Sequence, residues 1–214
     1  MNNKGKLGCG CLIFILVVCM VVAGISMHPI SLKFIGSQFR YEDKIFRSDV
    51  ILVPRFPEDK NGELYIEAFR EFWAGNGKEI WLEDDKILGM SVYEIVLKLA
   101  KERGIKDGVL KKIGQNTEEK NKSETLKRYI EKTGALKVII IVPEYASRRF
   151  HLLYSSNKDS EKSLFLIKPV AIASFKKDKW WKDTSSRELL MNEFFLICSY
   201  YFNKFKYGAK EKIN

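Results

Sequence analysis

Hydrophobic and polar positions divide the chain into regimes with different periods. Residues 7–27 carry no charge and follow Lys4 and Lys6. At roughly 20 residues such a run is long enough to cross a bilayer as a helix, so residues 1–27 read as an N-terminal membrane anchor with a short basic flank. Residues 28–48 mix apolar and charged positions without a clear period and read as a connector. Between residues 49 and 207 short β-branched runs alternate with longer stretches of helical spacing. Residues 208–214 form a basic tail.

Within 49–207 the alternation is regular. Residues 49–54 form a short apolar run of the kind that makes a buried strand. Leu64, Ile66, Phe69, Phe72 and Trp73 then recur at helical spacing, and Gly75-Asn76-Gly77 closes that helix. Residues 79–82 predict a second strand and 91–103 a helix closed by Gly104. Residues 109–113 predict a short strand and 116–134 a helix stopped by Gly134. Residues 137–142, Lys-Val-Ile-Ile-Ile-Val, are the clearest buried strand. A helix over 145–154, a strand over 163–167 and a long helix over 186–205 complete the series. The pattern predicts an α/β domain: a Rossmann-like, mostly parallel sheet with helices on both faces, preceded by one transmembrane helix. In such sheets a ligand crevice lies beyond the carboxyl ends of the strands.

Composition narrows the classes. Apolar residues make up 46% and aromatic residues 13% of the 214, too many for a low-complexity disordered chain. The formal charge of +10 suggests an anionic partner. It is unevenly placed: residues 28–144 hold 21 basic and 20 acidic residues, the last 70 hold 14 and 7. The densest cluster, Lys176-Lys177-Asp178-Lys179-Trp180-Trp181-Lys182, suits a lipid headgroup layer or a phosphate-bearing ligand. A recognisable nucleic-acid motif is missing, so nucleic acid is not expected. Cys9, Cys11 and Cys19 lie in or beside the apolar segment. Cys198 is the one cysteine of the domain, where its apolar neighbours Phe194-Phe195-Leu196-Ile197 point to buried packing.

The apolar segment runs past Ala23-Gly24 to Met27 without a clear small-residue cleavage site, which favours a retained anchor over a removed signal. Lys4, Lys6 and the amino terminus outweigh Lys33 and Arg40 on the other side. The expected arrangement is a single-pass protein of the cell membrane with its domain extracytoplasmic.

Four segments at the expected strand ends carry candidate chemistry. Glu83-Asp84-Asp85 could hold a divalent cation, or cap the next helix. Asn116 and Thr117 precede Glu118-Glu119 at a helix start whose amides would face the crevice. Arg148 and Arg149, with Arg55 after the first strand, could clamp a phosphate or carboxylate. Glu119 and Glu144 are the candidate acid or base. The two histidines, His28 and His151, belong to no nucleophile or zinc pattern. Pro54-Arg55-Phe56-Pro57 stands where a nucleotide-binding fold has glycines, and no motif names a cofactor.

The order of these segments resembles the YdcF/SanA/ElyC family of bacterial envelope-associated proteins, from about residue 49 to 206. The likeness rests on Asp49-Val-Ile-Leu-Val, on Asn116-Thr117 with Glu119, and on the strand ending at Val142 followed by Tyr145 and Arg148-Arg149. It extends to Trp180-Trp181 and to Glu193 in a long helix with Tyr200-Tyr201. The resemblance implies an anchored α/β domain with its site at the strand ends. The chain departs from the family at Pro54-Arg55-Phe56, at Glu83-Asp84-Asp85 and at Ala146, where the family has two glycine-rich turns and a histidine. Those departures imply an altered site. Three readings follow: an anchored protein binding an anionic, phosphate-bearing ligand at the strand ends; a non-catalytic membrane-surface or interaction module with a vestigial site; and a divalent-metal-dependent phosphoryl-transfer enzyme.

Overall fold

A computed structural model describes residues 27–84, 86, 87, 89–113, 122–135, 137–155 and 164–208, together with 12, 14–20 and 24. Its centre is a five-stranded sheet in the order β5-β2-β1-β6-β7, every pairing parallel. The strands are β1 (Val50–Val53), β2 (Glu79–Glu83), β5 (Leu110–Ile113), β6 (Lys137–Pro143) and β7 (Leu164–Val170). A two-stranded antiparallel hairpin, β3 (Lys86–Ile87) with β4 (Met90–Ser91), follows β2. The helices are α1 (Pro29–Ser37), α2 (Glu63–Trp73), α3 (Val92–Glu102), α4 (Lys122–Thr133), α5 (Ser147–Ser155) and α6 (Thr184–Gly208), with a 3₁₀ turn at Lys177–Lys182.

The α/β architecture follows from burial. All four residues of β1, and Val138 to Pro143 of β6, are buried, as central strands covered on both faces must be. Ile51, Leu52, Ile139, Ile140 and Ile141 form the middle of the core, and Leu64, Ala68 and Phe69 of α2 pack onto it. Gly77, just before β2, passes so close to β1 that an added Cβ would lie 2.5 Å from Ile51 Cγ1. Ile51 is fully buried and cannot yield. Gly77→Ala should therefore cost about 1–3 kcal/mol, read as a lower denaturant midpoint at unchanged slope.

The connector and Cys198 differ from the sequence-based expectation. The connector contains a helix, α1. Pro29 sits in its first turn and His28 caps it by accepting from the Ile30 N–H, a start that needs no amphipathic period. The Trp180 indole N–H donates to Leu32 O at 2.9 Å, and a Cβ at Gly36 would meet that indole at 2.7 Å, so α1 is seated directly on the 3₁₀ turn. Cys198, expected in the core, is exposed. The buried face of α6 runs through Ser186, Leu190 and Glu193 to half-buried Ile197, and Cys198 lies one residue, roughly 100°, off that line.

Residues 14–20 are helical and exposed. Among the described residues no helix is long and apolar enough to cross a membrane. The tail beyond Gly208 lies outside the described residues.

Candidate functional site

The strand order fixes where a ligand crevice should open. From β1 the chain moves outward through β2 to β5, then returns to the other side of β1 at β6. The switch point therefore lies between the carboxyl ends of β1 and β6. Arg55 follows β1 there, and Glu144, Tyr145, Arg148 and Arg149 follow β6.

At this point the chain closes the crevice on itself. Residues 38–41, leaving α1, cross the start of α5. The Arg148 N–H donates to Phe39 O at 3.0 Å, the Tyr41 N–H donates to Ser147 Oγ at 2.7 Å, and Arg148 Nε donates to Gln38 O at 3.1 Å. The helix-start amide that an anion would use is thus committed to a carbonyl. The start of α2 is closed in the same way, with Glu63 N–H and Leu64 N–H donating to the Asp59 carboxylate at 2.8 and 2.9 Å. The start of α3 is closed by Asp84, which accepts from Tyr93 N–H, and by Ser91, which accepts from Glu94 N–H.

The charged candidates are equally committed. Arg149 makes a two-pronged pair with Glu193 of α6, at 2.6 and 2.8 Å, and the Glu193 side chain is only 3% exposed. Arg148 points the other way, its guanidinium lying over the Tyr41 ring. The two arginines do not form one clamp. Glu144 is buried between Arg40 and Lys177, at 3.7 and 3.4 Å. Glu83 accepts the Arg55 N–H at 2.9 Å. His151 stacks on Tyr41 with ring centroids 3.6 Å apart, and burial lowers its pKa.

Asp84 serves as a helix cap. It accepts from Ser91 Oγ and the Tyr93 N–H and pairs with Lys112. Burial acts to raise its pKa, but Lys112, the Tyr93 N–H and Ser91 outweigh it and hold the carboxyl at about 2, against 3.8 for a free one. A depressed pKa stabilises the fold above the unfolded value and loses that stability as pH falls through the folded one. Asp84 should therefore contribute to acid unfolding between about pH 4 and pH 2. Asp84→Ala should remove that part of the pH profile and cost about 1–3 kcal/mol at neutral pH, both read from urea titrations across pH. Among the described residues no group of three acids, histidines or cysteines is placed to hold a metal ion. Asp85, Asn116, Thr117 and Glu119 lie outside the described residues.

Three buried polar atoms lack a partner among the described residues: Tyr145 Oη, Glu58 Oε2 and Ser174 Oγ. Burial, with Glu58 and Glu193 nearby, pushes the Tyr145 phenol up, so it stays protonated. Glu58 and Ser174 line a polar hollow of about 350 Å³ between the loops after β1 and β7.

An apolar surface lies elsewhere. From Phe194 onward α6 is mostly exposed, and Met191, Phe194, Phe195, Cys198, Tyr201, Phe202 and Phe205 follow one another at helical spacing on one outward face. Phe202 is 69% and Phe205 79% exposed. Beside it α1 exposes Ile30, Phe34 and Ile35. A groove of about 740 Å³ separates the two helices, with Ile35, Phe39, Trp180, Leu190 and Ile197 among its walls. The sequence points to buried packing for Cys198 beside Phe194-Phe195-Leu196-Ile197, whereas the structure exposes Cys198, Phe194 and Phe195. The signal for another role was a second apolar stripe on a helix that already had a buried one. No family model and no curated protein matches the chain.

Proposed function

We propose that the chain is a single-pass membrane protein whose α/β domain lies against the bilayer and acts there as a non-catalytic membrane-surface module. The observation that carries this reading is the exposed apolar face of α1 and the second half of α6. Contiguous apolar patches of this kind on a soluble surface mark interaction sites. The uncharged run 7–27 ends directly before α1, so an anchor there would deliver α1 to the membrane surface. Lys33 of α1 and Lys204 and Lys206 of α6 are exposed, as are Lys179 and Lys182 of the adjoining 3₁₀ turn, and cationic aromatic helices favour the headgroup boundary of anionic bilayers. Lys4 and Lys6 support an extracytoplasmic domain.

The closed helix starts and the paired Arg149, Glu144, Glu83 and Asp84 support a vestigial strand-end site. The order of elements supports placing the chain as a divergent relative of the YdcF/SanA/ElyC group with that site filled in by its own chain.

Cys198 sits at the centre of the outward stripe and reports on it. In the full chain with Cys9, Cys11 and Cys19 replaced by serine, reconstituted in phosphatidylglycerol-containing vesicles, Cys198 should react far more slowly with a water-soluble maleimide than a cysteine at Lys98 of α3. Equal rates would overturn the reading.

A further inference from the structure

The groove between α1 and α6 is more than a gap in the apolar face. Its walls are Ile35, Phe39, Leu152, Trp180, Leu190 and Ile197, with Met191, Phe194 and Tyr201 at the α6 side. Its volume of about 740 Å³ falls in the range of about 300–1,000 Å³ typical of sites that enclose a small molecule. Gln38 and Arg148 are its polar lining residues. Arg148 is held by its Nε bond to Gln38 O and by the Tyr41 ring, and among the described residues no carboxylate pairs with it. An apolar trough with one fixed guanidinium is complementary to an amphiphile with an aliphatic chain and an anionic head.

We infer that this groove takes one acyl chain of an anionic phospholipid from the bilayer, with Arg148 bonded to the lipid phosphate. The inference rests on the membrane-surface reading. Three features select lipid over other occupants. The groove opens onto the α1–α6 face, which that reading sets on the membrane. The uncharged run 7–27 directly precedes α1 in the chain, so an anchor there would hold the groove at the lipid. The Arg148 guanidinium matches an anionic head. Withdrawing the chain from lipid into protein exchanges one apolar surrounding for another, so the phosphate bond and the close packing, not apolar burial, must hold the lipid.

The test is native mass spectrometry of the full chain released from vesicles of mixed phosphatidylglycerol and phosphatidylcholine, run beside the Cys198 accessibility assay. The expected species is a monomer retaining one phospholipid, enriched in phosphatidylglycerol. Arg148→Gln should keep the lipid but lose the headgroup enrichment, and Arg148→Lys should restore part of it. Filling the groove with Leu152→Phe and Ile197→Phe should abolish retention while Cys198 stays protected. A lipid-free monomer with Cys198 protected would overturn the groove inference and leave the membrane reading intact. A lipid-free chain with Cys198 accessible would overturn both. A lipid-free dimer would assign the groove to a second copy. Equal lipid retention by wild type and filled variant, or no change in headgroup preference with Arg148→Gln, would also overturn the inference.

Discussion

Arg149→Ala should destabilise the domain by about 3–5 kcal/mol, the cost of leaving a buried carboxylate without its partner. Glu193 is 3% exposed and holds Arg149 through two short bonds, so removing the guanidinium strands a charge that water cannot reach. For a domain of this size each kcal/mol moves the melting temperature by about 2–4 °C, which makes the loss easy to read by calorimetry. Glu193→Gln should cost less, because an amide keeps one acceptor for the guanidinium. Replacing both, Arg149→Met with Glu193→Leu, should recover most of the stability, since a buried pair is often no better than well-packed apolar residues. That recovery separates a structural strut from a ligand clamp. If Arg149→Ala leaves stability unchanged, the pair does not hold α6 to α5.

Phe194→Glu combined with Phe202→Glu should abolish seating of the domain on a bilayer while leaving its fold intact. The two side chains are 47% and 69% exposed, so neither contributes greatly to the core and the melting temperature should stay near that of the wild type. Burying each in the membrane contributes about 2 kcal/mol, and the two together change a partition constant by roughly 10²–10³-fold. The added carboxylates are repelled by anionic headgroups as well. Reversing Lys204 and Lys206 instead should weaken binding mainly at low salt, because that term is screened.

The sheet was legible because the strands of a covered parallel sheet are continuous apolar runs. Residues 49–54 and 137–142 predict β1 and β6 to within about one residue, well inside the usual disagreement over element ends. Helix α1 was not legible: its apolar residues face outward as well as inward, so no amphipathic period marks it. The β3–β4 hairpin is too short to carry a pattern. In α6 the sequence shows that Phe194, Phe195, Phe202 and Phe205 are apolar, but not whether protein or lipid covers them; only the buried line through Ser186, Leu190 and Glu193 reveals that the aromatic stripe is a second face.

For the strand-end candidates, the sequence showed where Arg148 and Arg149 fall in the chain and not what they pair with. Arg148 and Arg149 do follow β6 at the switch point. Neighbours on a helix point about 100° apart and do not face one partner; one arginine meets Glu193 and the other Gln38. Segment 38–41, which closes the start of α5, lies over 100 residues from it in the chain, as the Tyr41 to Ser147 bond shows, and nothing local in the sequence announces that contact.

The central claim is that the α1–α6 face lies on the bilayer. A chain beginning at Met27 keeps every core residue that is buried among the described residues, from Phe39 onward, so it should fold without the apolar segment. It should co-sediment with phosphatidylglycerol-containing vesicles at low salt, and in part release as ionic strength rises. If it stays in the supernatant at low salt while folded, the face is not a membrane surface and the account is wrong.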